Sequence, residues 1–199
     1  MNRPVLPRLA TLAVLLFACG NLLDHYDARA PDVPFVDQIN PAGRDAFYNG
    51  TENCGPAILA GIAKAHGKAG NMNDAELINL LALMAGTGPG GTTGNGMIAA
   101  LTGMGMESDA SAGADLDWID EELSAGHDVI ANGDYYAVPG RENPNKHSGH
   151  YIVITAVKDG WSTYKVMDPA DPKVTWMTEA QLEKFIDLHP QGGFTISAW

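Results

Sequence analysis

Partway along, the chain changes the spacing of its apolar residues, and that change limits its possible folds more than any other feature. Between residues 55 and 125 large aliphatic side chains return at helical intervals: Ile58, Leu59 and Ile62, then Leu77, Leu80, Leu81 and Met84, then Leu116, Ile119 and Leu123. Short helices are predicted at 95–103 and 115–125. From residue 128 onward short β-type runs take over, at 128–132, 150–157, 161–167, 173–176 and 193–198, interrupted by a helix near 178–188 that Thr178 opens. Helices first and strands second predicts an α+β domain whose antiparallel sheet packs on the first helix. Local punctuation agrees. Pro56 suits a first helical turn and Gly67 a helix end, Asn73-Asp74-Ala75-Glu76 has the form of a capping box, and Asp159-Gly160 suits a hairpin turn.

The first helix opens on Asn53-Cys54-Gly55-Pro56, which places a thiol at a helix N-terminus. The helix dipole and the first-turn N–H groups favour negative charge there, and the thiolate is the nucleophilic form of cysteine. Further on, Ser148-Gly149-His150-Tyr151 puts a histidine at the mouth of an apolar strand, and Val166-Met167-Asp168-Pro169 ends the next one. A cysteine, a histidine and an aspartate in that order suggest a nucleophile, its base and the group that orients the base.

Residues 1–18 carry Arg3 and Arg8, then an uncharged run from Leu9 to Ala18, and no acidic residue. This is a signal peptide by charge and length, too short to span a bilayer. The run ends at Leu16-Phe17-Ala18-Cys19, which resembles a bacterial lipobox with Cys19 as the lipidated residue. Cleavage after Ala28-Arg29-Ala30 is the rival, disfavoured because Pro31 would follow the cut. The organisation expected is a signal peptide at 1–18, a lipidated tether at 19–32 and one domain at 33–199. The protein would then sit in the bacterial cell envelope, on the outer membrane where the host has one, since no aspartate follows Cys19. Secretion is the alternative. Cys19 and Cys54 are the only cysteines, so Cys54 has no intramolecular partner, a flag for a reactive thiol in an exported protein. Acidic residues outnumber basic ones 24 to 12, which makes nucleic acid a poor partner.

Asn53-Cys54-Gly55-Pro56-Ala57, Gly149-His150-Tyr151-Ile152-Val153-Ile154 and Asp168-Pro169 together resemble the C39-like branch of the papain-like cysteine peptidases, in particular the stand-alone C39-like domains of exported bacterial proteins. The resemblance covers roughly residues 33–199 and implies a papain-like fold. It also implies a Cys54-His150-Asp168 triad that hydrolyses peptide bonds through an acyl-enzyme, with a peptide or protein as substrate and with no metal or cofactor. Val33-Pro34-Phe35-Val36-Asp37-Gln38 looks like the family segment that supplies an oxyanion donor, here Gln38, with the intervening residues before Cys54 looped out. Asn49 and Asn53 are the substitutes for that role. A monomer is the expected state.

Blander readings compete. His147 is the rival to His150 as base, and with Cys54, His150 and Asp168 it could in principle be drawn into a zinc site, although close ligand pairs are scarce. The glycine/threonine loop from Gly86 to Gly96 lacks a following Gly-Lys-Ser/Thr, so it is not a phosphate-binding loop and is read as edging a cleft. The polar loop at 134–149 is read as a groove rim, and Asp117, Asp120, Glu121 and Glu122 as a solvated face. A cell-wall amidase or an acyl or glutamyl transferase would use the same nucleophile. A non-catalytic binding module or a secreted effector would keep the fold alone.

Overall fold

The computed structural model describes residues 26–43 and 50–199, apart from the side chain of Val174. Cys19, the signal segment and Asn49 lie outside those residues. In chain order the elements are β1 (Tyr26–Arg29), α1 (Cys54–Ala65), α2 (Asp74–Met84), α3 (Gly94–Gly103), β2 (Ser108–Ala112), α4 (Leu116–Ala125), β3 (Asp128–Asp134), a 3-10 turn (Tyr135–Ala137), β4 (Gly149–Lys158), β5 (Thr163–Asp168), β6 (Asp171–Thr178), α5 (Glu179–Asp187) and β7 (Phe194–Ala198). The strands form one antiparallel sheet in the order β2-β7-β3-β4-β5-β6, and β1 pairs with the far end of β4.

Both faces of this sheet are covered, which explains why β3 and β4 read as continuous apolar runs rather than alternating ones. Ile130, Tyr151, Val153 and Ile196 point into a core shared with α1, α2 and α3. Their neighbours Val129, Ala131, Ile152 and Ile154 point into a second core with Ile119 and Leu123 of α4 and Leu182, Phe185 and Ile186 of α5. The period of two along a strand divides its side chains between the cores. At about 1.5–3 kcal/mol for each large apolar side chain fully buried, these two cores are the main stabilising term.

α1 is the central helix. Every residue from Gly55 to Ala63 is buried, so its many alanines and glycines are what allow neighbours to approach from all sides. A Cβ on Gly55 would sit 2.9 Å from the Thr92 hydroxyl and 3.0 Å from the Met97 sulfur, so glycine here lets the Gly86–Gly96 loop press on the start of the helix. At its other end His66 caps α1 and pairs through Nε2 with Asp128 Oδ2 at the start of β3, 2.8 Å away.

α2 carries the capping box foreseen from its sequence: Asn73 accepts from the Glu76 N–H and Glu76 accepts from the Asn73 N–H, both at 3.0 Å. The β4–β5 turn has positive φ at Asp159 (59°) and Gly160 (69°), the backbone a tight hairpin needs.

Three features differ from the sequence expectations. Residues 26–29, assigned to the tether, form β1 in the sheet, and Ala30 behind them is buried with its N–H on the Thr155 carbonyl. β2 is a strand placed among the early helices. The acidic face of α4 is only partly solvated: Asp117 and Glu121 are exposed, but Asp120 accepts from the Tyr164 hydroxyl at 3.0 Å and Glu122 holds His127 at 2.7 Å. Burial pushes the Asp120 carboxyl up to about 6, against the Tyr164 hydrogen bond. No helix among the described residues is long and apolar enough to cross a membrane.

Candidate active site

Cys54 is the first residue of α1, partly accessible, and it is the one free thiol among the described residues. Pro56 follows without an N–H of its own, so the backbone donors of the first turn at this end are those of Cys54 and Gly55. His150 enters on β4, paired with Gly133 of β3 in register, and its ring is 3% exposed. Asp168 is the last residue of β5, next door in the sheet, and 1% exposed. The sheet and helix thus bring together three residues that lie 96 and 18 positions apart.

The His150 ring is held on one side and faces the thiol on the other. Nε2 lies 2.9 Å from Asp168 Oδ1, and Cys54 is near enough to shift the ring's ionisation, which leaves Nδ1 as the nitrogen free to meet the thiol. Burial disfavours the imidazolium, but the hydrogen bonds and negative charges of Asp168 and Cys54 outweigh it and push His150 up to about 9. Asp168 is held below the usual carboxylate range: burial acts against this, and it is overcome by the His150 hydrogen bond and charge, the Ala170 N–H and the Arg141 guanidinium. His150 is therefore a cation at neutral pH, held against the Asp168 carboxylate.

His147, the rival base, is turned away to another partner. Its Nδ1 lies 2.6 Å from Asp134 Oδ2, and its side chain is 44% exposed at the rim. Asp134 also accepts from the Ser148 and Tyr136 N–H groups, which pins both ends of the 134–149 loop. The four side chains once considered for zinc are thus divided, with His147 on Asp134 and His150 on Asp168 and Cys54.

Gln38 is 7% exposed, and its Oε1 is buried without a hydrogen-bond partner. Its N–H donates to the Pro169 carbonyl at 3.0 Å, which fixes it beside the residue after Asp168. The Gln38 carbonyl also passes so close to Gly50 that a Cβ there would lie 2.0 Å away. Residues 38 and 50 therefore lie side by side. Asn53, the substitute donor, is buried as the residue that precedes α1.

A groove of about 630 Å³ opens over Cys54. The loop at 90–94 forms one wall, Ser148 and Gly149 another, and residues 189–194 a third. Both loops expected at a cleft edge therefore reach it. The Tyr151 hydroxyl donates to the Thr92 carbonyl at 2.8 Å and ties the glycine/threonine wall to β4. The Tyr151 phenol is pushed up by burial and then by the Cys54 charge. Two participants were not singled out from the sequence. His189, just beyond α5, packs on Gly149 inside the groove. Arg141 reaches Asp168 from the loop.

Residues 31–191 match the family described as the Peptidase_C39 like family. The chain belongs to that family. As a C39-like protein it is a cysteine peptidase, a hydrolase, with a papain-like arrangement of helices and antiparallel sheet. Among solved structures it is similar to the peptidase domain of Streptococcus ComA, a bi-functional ABC transporter involved in a quorum sensing pathway, with 26% identity, a TM-score of 0.54, and 84% of this chain and 98% of that chain covered. It shares its fold with a double glycine motif protease from an AMS/PCAT transporter, solved in complex with the leader peptide, at 16% identity and a TM-score of 0.58 over 86% of this chain and 94% of that one. A structure described as a C39-like peptidase from Bacillus anthracis has the same TM-score of 0.58 at 13% identity, covering 88% of this chain and 98% of that one. No curated protein sequence matches the chain.

Proposed function

We propose that Cys54, His150 and Asp168 form a catalytic triad that cleaves a peptide bond through a thioester. The observation that carries this reading is the buried His150 ring bonded to Asp168 with Cys54 beside it. The thiolate attacks the scissile carbonyl carbon while imidazolium stands beside it. Collapse of the tetrahedral intermediate breaks the C–N bond as His150 gives its proton to the departing amine. Water then attacks the thioester with His150 taking its proton, the C–S bond breaks, and the thiolate and imidazolium return.

Gln38 and the Cys54 N–H are proposed to hold the oxyanion. Support comes from the burial of Gln38 and from its backbone N–H, which is pinned to the Pro169 carbonyl beside Asp168. One such donor is typically worth about 3 kcal/mol in the transition state. The groove suits an extended segment of a peptide or protein, and the leader peptide bound by the AMS/PCAT protease is an instance of that class in another protein. We also propose that Cys19 is lipidated and holds the enzyme on an envelope membrane, on the strength of Leu16-Phe17-Ala18-Cys19. Loss of the membrane-bound fraction in Cys19→Ser would support that, and an unchanged distribution would refute it.

The triad is tested by thiol labelling. Cys54→Ala should abolish both labelling by iodoacetamide and peptide hydrolysis while the circular dichroism spectrum is kept. His150→Ala should slow labelling at neutral pH and His147→Ala should not. If His147→Ala alone gave that effect, the base would be His147.

A further inference from the structure

The polar loop before β4 carries one side chain into the site from outside the groove. Val138-Pro139-Gly140-Arg141 is a tight turn: the Arg141 N–H donates to the Val138 carbonyl at 2.9 Å, Pro139 sets the second position and Gly140 takes φ +85° at the third. Those residue types and that left-handed glycine fit a type II turn. The turn aims the Arg141 side chain inward. Its Nη1 lies 2.8 Å from Asp168 Oδ2, and its side chain is only 17% exposed. The N–H is not aligned on that oxygen, so the contact acts as a charge pair rather than a directed hydrogen bond.

The guanidinium lies over the Tyr135 ring, 4.7 Å from its centroid, and Tyr135 meets the His150 ring edge-on at 5.1 Å and 90°. Arg141, Tyr135, His150 and Asp168 therefore close a ring of contacts behind the imidazole. The other titratable neighbours are Cys54 from α1, Asp171 at 3.9 Å from Arg141 Nη2, and, across Gly149, His189. Asp134 is paired with His147. Apart from the His150 imidazolium itself, Arg141 is the cation that faces Asp168 among the described residues.

A buried histidine between a carboxylate and a thiolate has a difficulty as an acid: both anions hold its proton, whereas peptide cleavage requires that proton to pass to the leaving amine. A cation on the free oxygen of the carboxylate weakens that hold. Resting on the triad reading above, we propose that Arg141 is a positioning residue of this peptidase. By pairing with the Asp168 oxygen that His150 leaves free, it fixes the carboxylate and limits how tightly it retains the imidazolium proton. Arg141 is not among the groove's lining residues, so its effect falls on proton transfer and not on substrate affinity.

The test is the pH titration of the His150 ring, followed by NMR on histidine-labelled full-length protein in detergent, with Cys54 alkylation by iodoacetamide measured alongside. In Arg141→Gln the His150 midpoint should rise by about half to one pH unit, because a nearby cation has gone. Arg141→Lys, which keeps the charge, should leave the midpoint near its original place. Alkylation at neutral pH should stay within about twofold, because Arg141 contacts Asp168 and Tyr135 and not the thiol. An unchanged or lowered midpoint in Arg141→Gln, or a rise in Arg141→Lys as large as that in Gln, would overturn the proposal and leave Arg141 as a loop brace. Arg141→Met, which keeps the stem over Tyr135, serves the same comparison if the Gln variant does not fold. The triad reading fails separately, in the unsubstituted protein, if His150 titrates like a free histidine and Cys54 alkylates like a free thiol.

Discussion

His150 is the residue whose ionisation ties stability to activity. Its value of about 9 in the folded protein stands above the ordinary 6.5, so its contribution to stability is complete below about pH 6.5 and is lost progressively as the pH rises through 9. Asp168 is shifted the other way, and its contribution is present above the ordinary aspartate value and lost as acid protonates it in the fold. The thermal midpoint should therefore fall on raising the pH from 6.5 to 9, and His150→Ala should flatten that dependence. A wild-type stability that is level across this interval would show that the imidazolium is not held as described. Cys54, His150 and Asp168 were legible in the sequence because each sits at a position with a local signature: a helix opening, a strand mouth, a strand end. Arg141 carried no such mark. Its value depends on a pairing across 27 residues that only the folded loop creates.

At the scale of elements, what could be read from the chain is what local chemistry decides. The capping box of α2 is complete within four residues, and Asn73→Ala should cost about 1 kcal/mol in chemical denaturation, the usual effect of removing a side-chain cap. A change below about a quarter of that would mean α2 is held by packing alone. β2 could not be read in this way. Ser108-Asp109-Ala110-Ser111-Ala112 has no β-branched or aromatic side chain, and it is a strand because β7 offers it an edge, a partner more than 80 residues downstream. β1 escaped for a related reason: Tyr26-Asp27-Ala28-Arg29 is polar and short, and its place is set by pairing with β4 and by the Asp27 carboxylate, which accepts from the Gly160 and Trp161 N–H groups.

The molecule as a whole is a sheet covered on both faces, with the groove at one end. Because β1 and Ala30 belong to that sheet, a chain that begins at residue 33 should be less stable than one that begins at residue 20, with a lower thermal midpoint and faster proteolysis near β4. Equal midpoints would mean that β1 adds nothing to the fold. The two-core arrangement also accounts for the long apolar run of β4, which periodicity alone does not distinguish from a buried helical segment.

β4 can be treated as a ruler. His150 is its second residue and β1 joins it at its last, Lys158, eight residue steps further on. At about 3.3 Å per residue that is roughly 26 Å of nearly straight backbone. An acyl chain on Cys19, seven residues upstream of Tyr26, would pull on the end away from the groove. Cleavage would then take place on the side facing the surrounding fluid, and the enzyme would trim polypeptides that come to it rather than segments lying in the bilayer surface.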